Sequence, residues 1–319
     1  MTYLGLDLGG TFVKGLVIDE HGRELANGSA ATPRTGPADV IAAMRDLGQR
    51  LVAGRRLRGV GVAVPGVIDL KRGEVKFLPN VPGEWEGWPA ARELGDALGA
   101  PAFLLNDVRA ATYGEWHFGA GRGCEHFVMV AVGTGIGGGI VADGKLVMGI
   151  DGLAGEVGHM ALELHGPLCA CGGWGCAEAL VSGKALSGDG RQLAAAGGAP
   201  GLLQAAGGDP EKITPALIAR AAEAGDPGAK RLMDEAGYRL GILIGNVVIL
   251  LNPARVIVGG GIAQAGALLF DGIRQTLVDR VGWFLRHTSV EIVPAELGEE
   301  AGALGAAAWA RDRGAGASS

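Results

Sequence analysis

Apolar residues at 3–8 form a short β-like run that ends on the pair Gly9-Gly10. Residues 12–19 form a second run of the same kind, so the turn between them predicts a β-hairpin. Residues 40–51 and 90–98 space their apolar positions as helices do, whereas 59–64 and 102–105 read as buried strands. Pro65-Gly66 stops the first of these strands. Asn106 follows the second and is placed to cap a helix over 108–116. Strand, glycine turn and strand then return at 127–141, around Gly133-Thr134-Gly135. Residues 214–251 are helical in pattern, with a break at Gly225-Asp226-Pro227 and a stop at Asn252-Pro253. A strand at 255–258 runs into Gly259-Gly260-Gly261, and helix 267–285, strand 290–293 and helix 301–310 follow. The Gly/Ala-rich stretch 187–209 reads as a surface insertion with at most one short helix, and the tail beyond Arg313 as disordered.

Composition narrows the function classes. At 319 residues the chain is long enough for two domains with their own cores. A net charge of −6 without a basic cluster offers no nucleic-acid surface. The 59 glycines are dispersed without a triplet period, which excludes a collagen-like chain. The longest apolar run, 240–251, is too short to span a bilayer and contains Asn246. The N-terminus runs straight into a strand without the pattern of a signal peptide, so a cytoplasmic location is expected.

The densest chemistry lies between Gly155 and Gly183. His159, Cys169, Cys171 and Cys176 supply the three thiolates and one imidazole of a closed tetrahedral zinc site. The tight step from Cys169 to Cys171 needs a permissive backbone, which Gly172, Gly173 and Gly175 provide. The alternative is a trio of buried cysteines in a glycine-rich loop. Cys124 is left over, and this cysteine usage suits a reducing compartment. Glu156 and Glu178 are spare acids beside a complete ligand set. A metal on one ring nitrogen of His159 would fix the other towards a polar ligand flanked by these carboxylates, unless the glutamates serve only to orient their neighbours.

Gly9, Gly10 and Thr11 can approach an anion through backbone N–H groups and a hydroxyl, and Asp7 could hold magnesium by way of water. A plain structural hairpin is the competing reading. Gly133, Gly135 and Gly138 fit a dinucleotide fingerprint, and 139–145 nearly fits a phosphate-binding loop. Neither fit is complete, because 140–145 reads as strand and turn rather than helix and Leu146 stands where a hydroxyl is needed, and a Rossmann-type oxidoreductase is only a distant alternative. Repetition explains the stretch better: two strand–turn–strand units, facing each other, would clasp a polyphosphate. Asp107, in the first turn of its helix, is read either as an ordinary capping acid or as a reactive carboxylate.

These pieces, in this order, resemble the ROK family of bacterial sugar kinases and sugar-responsive repressors. The resemblance rests on D-L-G-G-T from Asp7, N-D from Asn106, G-T-G-I-G-G-G from Gly133 and G-E-V-G-H from Gly155. It is completed by C-A-C-G-G-W-G-C-A-E from Cys169 and V-G-G-G from Val258. It implies an α/β chain with the two-domain actin/hexokinase-like (ribonuclease H-like) ATPase fold and an interdomain cleft. The smaller domain would span 1–106, joined by a C-terminal helix at 302–313. The larger would span 107–301 and carry the zinc loop 159–176.

By the same resemblance, Asp107 is the base that takes the proton from a sugar 6-hydroxyl. Gly66, Asn80, Asn106, Glu156, His159 and Glu178 contact the sugar, and the zinc is structural. ATP with Mg2+ is implied on Asp7, Gly9, Gly10, Thr11, Gly133, Thr134 and Gly135, with adenosine near Gly259, Gly260 and Gly261. Lys14 is read either as a phosphate contact or as an exposed hairpin lysine. The resemblance points to glucose, with N-acetylmannosamine, N-acetylglucosamine or a non-catalytic sugar sensor as alternatives. Polyphosphate remains open as donor, and a homodimer or homotetramer is implied. Six residues precede Asp7, so the helix-turn-helix of the family's repressors is not expected and neither is a nucleic-acid partner.

Overall fold

The computed structural model describes residues 1–316. In chain order the elements begin with β1 (Thr2–Leu8), β2 (Phe12–Asp19), β3 (Glu24–Ala31), α1 (Pro37–Val52), β4 (Leu57–Val64), β5 (Val67–Asp69) and β6 (Glu74–Phe77). Next come α2 (Ala90–Leu98), β7 (Ala102–Asn106), α3 (Asp107–Phe118), β8 (Phe127–Val132), β9 (Ile136–Ala142) and β10 (Lys145–Leu146). Then follow α4 (Ala177–Val181), α5 (Gly183–Ala195), α6 (Pro200–Ala205), α7 (Pro215–Glu223) and α8 (Pro227–Leu251). The chain closes with β11 (Arg255–Gly259), α9 (Ala267–Leu285), β12 (Glu291–Pro294) and α10 (Ala301–Gly316). Among the described residues no helix is long and apolar enough to cross a membrane.

The chain forms two compact units. The first holds residues 1–123, 145–154 and the described residues from Glu296 onward. Its sheet runs β3-β2-β1-β4-β7, with the β1–β2 hairpin antiparallel and β4 and β7 added in parallel. One face carries α1 and α2 over Leu4, Leu6, Val13, Val40, Met44, Leu47 and Leu94. The other face carries α10, which packs on β1 and β4 and against α3. That packing is close: a Cβ on Gly61 of β4 would stand only 1.8 Å from the Ala306 carbonyl oxygen. Hydrogen in place of a side chain lets helix and sheet approach at backbone distance. The strand β3 and the small β5–β6 hairpin are additions that the hydrophobic pattern does not reveal, since β3 alternates only exposed and half-buried positions.

The second unit holds residues 124–144 and 155–295. Its strands lie in the order β9-β8-β11-β12, with β8–β9 antiparallel and the others parallel to β8 or β11. The long α8 buries Leu240, Leu243, Ile244 and Val247 in the core, and Asp226 caps it through the Ala229 N–H. The expected break before α8 is real, and Pro227 sits at the first helical position, where its missing N–H costs nothing.

Three expectations are corrected. Residues 187–209 are not a surface insertion: α5 and α6 occupy most of the stretch, and Ala194, Ala199, Leu202 and Ala206 lie in the core. Alanine is the best helix former and packs in tight spaces, but its small side chain gives little periodic signal. The tail also continues as helix through Gly316; the remainder of the tail lies outside the described residues. The compact units also divide differently from an expected boundary at residue 106. Residues 107–123, with α3, belong with the first unit because α3 packs along α10.

Candidate functional site

In the first unit, the turn after β1 is closed by the Gly9 N–H donating to the Phe12 carbonyl at 3.0 Å. Thr32 braces it from β3's end, its hydroxyl donating to the Gly9 carbonyl at 2.7 Å. Asp7, the last inward-turned polar residue of β1, is half-buried and lies against the start of α10. A Cβ on Gly302 would come within 2.5 Å of its Oδ2. Burial first, and then the neighbouring Asp107 carboxylate, push the Asp7 pKa up to about 7, with Lys14 opposing. Asp7 and Asp107 are therefore close enough to feel each other's charge.

Asp107 opens α3 and its Oδ1 accepts from the Val108 N–H at 2.8 Å. The helix N-terminus favours the ionised carboxylate. Asn106 caps the helix as expected, its Oδ1 accepting from the N–H groups of Val108 and Arg109, while its Nδ2 donates to the Gly66 carbonyl at 3.2 Å. With its oxygen committed to the cap, Asn106 retains one amide hydrogen for a ligand. Asn80 is exposed in the loop that follows β6, and its backbone adjoins Gly10. Lys14 forms an ion pair with Glu299 at 2.6 Å.

The second unit holds the other predicted residues. Its turn Gly133-Thr134-Gly135 joins β8 to β9, and the register Gly259↔Ala131 sets the glycine run after β11 beside it. The strand β9 after this turn confirms that neither nucleotide-loop motif is present. Glu178, in the first turn of α4, accepts from the Ile136 N–H at 2.9 Å. His159 ends a single 3-10 turn, Val157–His159, and Cys176 directly precedes α4.

The ligand atoms of His159, Cys169, Cys171 and Cys176 all lie within 4.8 Å of one another. Cys171 and Cys176 sulfurs are 3.7 Å apart, and Cys169 Sγ is 3.8 Å from His159 Nδ1. Zinc–sulfur bonds of ~2.3 Å at tetrahedral angles place two sulfurs about 3.8 Å apart. The set fits a closed tetrahedral ion, with Nδ1 of His159 turned to the cysteine sulfurs. Without the ion, burial pushes the Cys176 thiol up to about 12, whereas the Gly173 N–H lowers Cys171.

Two buried charged residues escape sequence reading. Arg109 is 1% exposed, yet its Nε and Nη2 donate to the Ala154 carbonyl at 3.0 and 2.5 Å, two residues before Glu156. Glu115 is wholly buried, and its carboxylate accepts from the N–H groups of Ala120, Glu296 and Leu297. Charged residues on the buried face of an otherwise ordinary helix are the only signal, and it becomes one only when that face is known. Removing Glu115 would strand three backbone donors, a cost on the order of 3 kcal/mol or more.

The ROK family pattern matches residues 3–313. A glucokinase of Thermotoga maritima is 37% identical over 314 residues, covering 97% of each chain. The crystal structure of a ROK family glucokinase from Streptomyces griseus, in complex with glucose and AMPPNP, superposes with a TM-score of 0.85 at 34% identity. It covers 98% of this chain and 100% of that one. A ROK hexokinase from Thermus thermophilus gives a TM-score of 0.82 at 36% identity, with 98% and 99% covered. The fold is the two-domain actin/hexokinase-like ATPase fold, and the chain belongs to the ROK family.

Proposed function

We propose that this chain is a hexokinase-type phosphotransferase that moves the γ-phosphoryl group of ATP to the 6-hydroxyl of glucose. The observation that carries the reading is Asp107 at the N-terminus of α3, within electrostatic reach of Asp7 beside the first glycine turn. An acid placed for proton transfer and a turn suited to phosphate thus lie in one unit. Similarity to a glucokinase crystallised with glucose and AMPPNP supports the choice of sugar and donor.

Phosphoryl transfer asks the protein mainly for positioning and charge stabilisation. In this reading Asp107 accepts the proton of the 6-hydroxyl as that oxygen attacks phosphorus. The N–H groups of Gly9, Gly10, Gly133 and Gly135, with the hydroxyls of Thr11 and Thr134, hold the phosphates. Gly259, Gly260 and Gly261 present flat backbone to the adenosine. Mg2+, held by Asp7 through water, would neutralise phosphate charge. Gly66, Asn80, Asn106, Glu156, His159 and Glu178 read the sugar hydroxyls; carboxylates accepting paired hydrogen bonds discriminate strongly against epimers that lack the matching hydroxyl. Zn2+ on His159, Cys169, Cys171 and Cys176 would order the loop that aims His159, and four protein donors leave it no open position for chemistry.

The test is a coupled assay for ADP release over a panel of hexoses. ATP consumption dependent on glucose is expected, with N-acetylmannosamine and N-acetylglucosamine as weaker substrates. Absence of any hexose-dependent turnover with ATP overturns the assignment.

A further inference from the structure

The second glycine turn is braced from outside itself. Its own closure is the Gly133 N–H donating to the Gly135 carbonyl at 2.9 Å. Beyond that, Glu178 Oε2 accepts from the Ile136 N–H at 2.9 Å on one side, and the Gly183 N–H donates to the Gly133 carbonyl at 2.8 Å on the other. A Cβ on Gly135 would lie 2.3 Å from Glu178 Oε2, so carboxylate and turn are in direct contact. Both braces come from the α4–α5 segment.

That same segment is the direct continuation of the cysteine loop. Cys176 is the N-cap of α4, and the Ala177 N–H donates to the carbonyl of Met160, the residue after His159, at 3.0 Å. The second oxygen of Glu178 lies 3.9 Å from Cys169 Sγ. One carboxylate therefore touches the glycine turn with one oxygen and the metal-ligand cluster with the other. Every residue in this chain of contacts belongs to the second unit.

We infer that Glu178 is a positioning residue for the nucleotide, acting through the Gly133-Thr134-Gly135 turn, and that it makes nucleotide affinity depend on the order of the cysteine loop. This inference rests on the kinase reading and goes beyond the sugar contact assigned to the same residue. A bare carboxylate beside a phosphate turn would otherwise repel the ligand, and its removal would then tighten binding. The geometry gives the opposite sign, because the Ile136 N–H that Glu178 holds fixes the turn's exit into β9.

The experiment is titration of AMPPNP with Mg2+, without hexose, into wild type, Glu178→Gln, Glu178→Asp and Glu178→Ala, with zinc content measured for each. Glu178→Gln keeps an acceptor at the same reach and is expected to bind nucleotide within about twofold of wild type. Glu178→Asp keeps the charge but loses reach, and Glu178→Ala loses both. Each is expected to weaken AMPPNP about tenfold, the worth of the hydrogen bond to the Ile136 N–H. Wild type stripped of zinc by a chelator should weaken in the same direction. Asp and Ala variants that bind as tightly as wild type, or more tightly, overturn the inference, and the soluble Asp variant keeps the test decisive if Ala fails to fold. A wild-type chain that does not bind AMPPNP at all would instead overturn the kinase reading, and this inference with it.

Discussion

The turns after β1 and β8 are the same device built twice, and they differ in where their carboxylate comes from. Both join antiparallel strands, with registers Leu8↔Val13 and Val132↔Ile136, and both present threonine among glycines. In the first, the acid is Asp7, carried by the incoming strand itself two residues before Gly9. At the matching place in the second stands Ala131, and the acid is Glu178, delivered across more than forty residues of chain by α4. The strand-borne acid lies against Gly302 at the start of α10, with its pKa raised by burial and by Asp107. The borrowed acid is spent on a backbone N–H and stiffens the turn. The two turns also close differently, the first by the Gly9 N–H on the Phe12 carbonyl and the second, one residue shorter, by the Gly133 N–H on the Gly135 carbonyl.

The sharpest way to test the first half of this contrast is to remove the acid beside Asp7. Asp107→Asn should lower kcat by about 10²–10⁴-fold, the usual worth of a general base, while calorimetry still detects glucose binding. Retention of more than about a tenth of the activity would mean that Asp107 is only a capping acid.

The second half is broken by dismantling the loop from which Glu178 emerges. Cys171→Ser should reduce zinc from one per chain, by elemental analysis, and weaken glucose by roughly 10- to 100-fold as His159 loses its anchor. Zinc-free protein with undiminished glucose affinity would separate the cluster from the sugar site.

A subtler probe moves Asp7 without removing it. Gly302→Ala places a methyl group against its carboxylate, and kcat should fall by about tenfold, because small displacements of positioning groups are costly. Unchanged kinetics with an unchanged fold by circular dichroism would show that Asp7's placement is unimportant.

The smallest effect is on stability. A carboxylate raised from 3.8 to about 7 in the folded state binds its proton more tightly there than when unfolded. Its contribution is present in full below pH ~4 and is lost as pH rises through about 7. Relative to Asp7→Asn, wild type without added divalent cation should therefore lose about 1–2 kcal/mol between pH 4.5 and 8, allowing for partial exposure. Parallel urea midpoints for the two proteins across that range would refute the raised pKa.

What the sequence determined by itself was everything written in short-range pattern. The two glycine hairpins, the Asn106 cap, the break at Pro227 and the His-plus-cysteine ligand set each depend on residues close in the chain, where sterics and hydrogen bonding act locally. Arg109, Glu115, the core placement of α5 and α6, and the second hold of Glu178 were not legible, because each depends on which surfaces meet. A glutamate in a helix's first turn looks the same whether it faces water, a sugar or the N–H of Ile136. Only the tertiary structure decides, since contacts distant in sequence are set by packing of the whole unit rather than by any periodicity in the residues that make them.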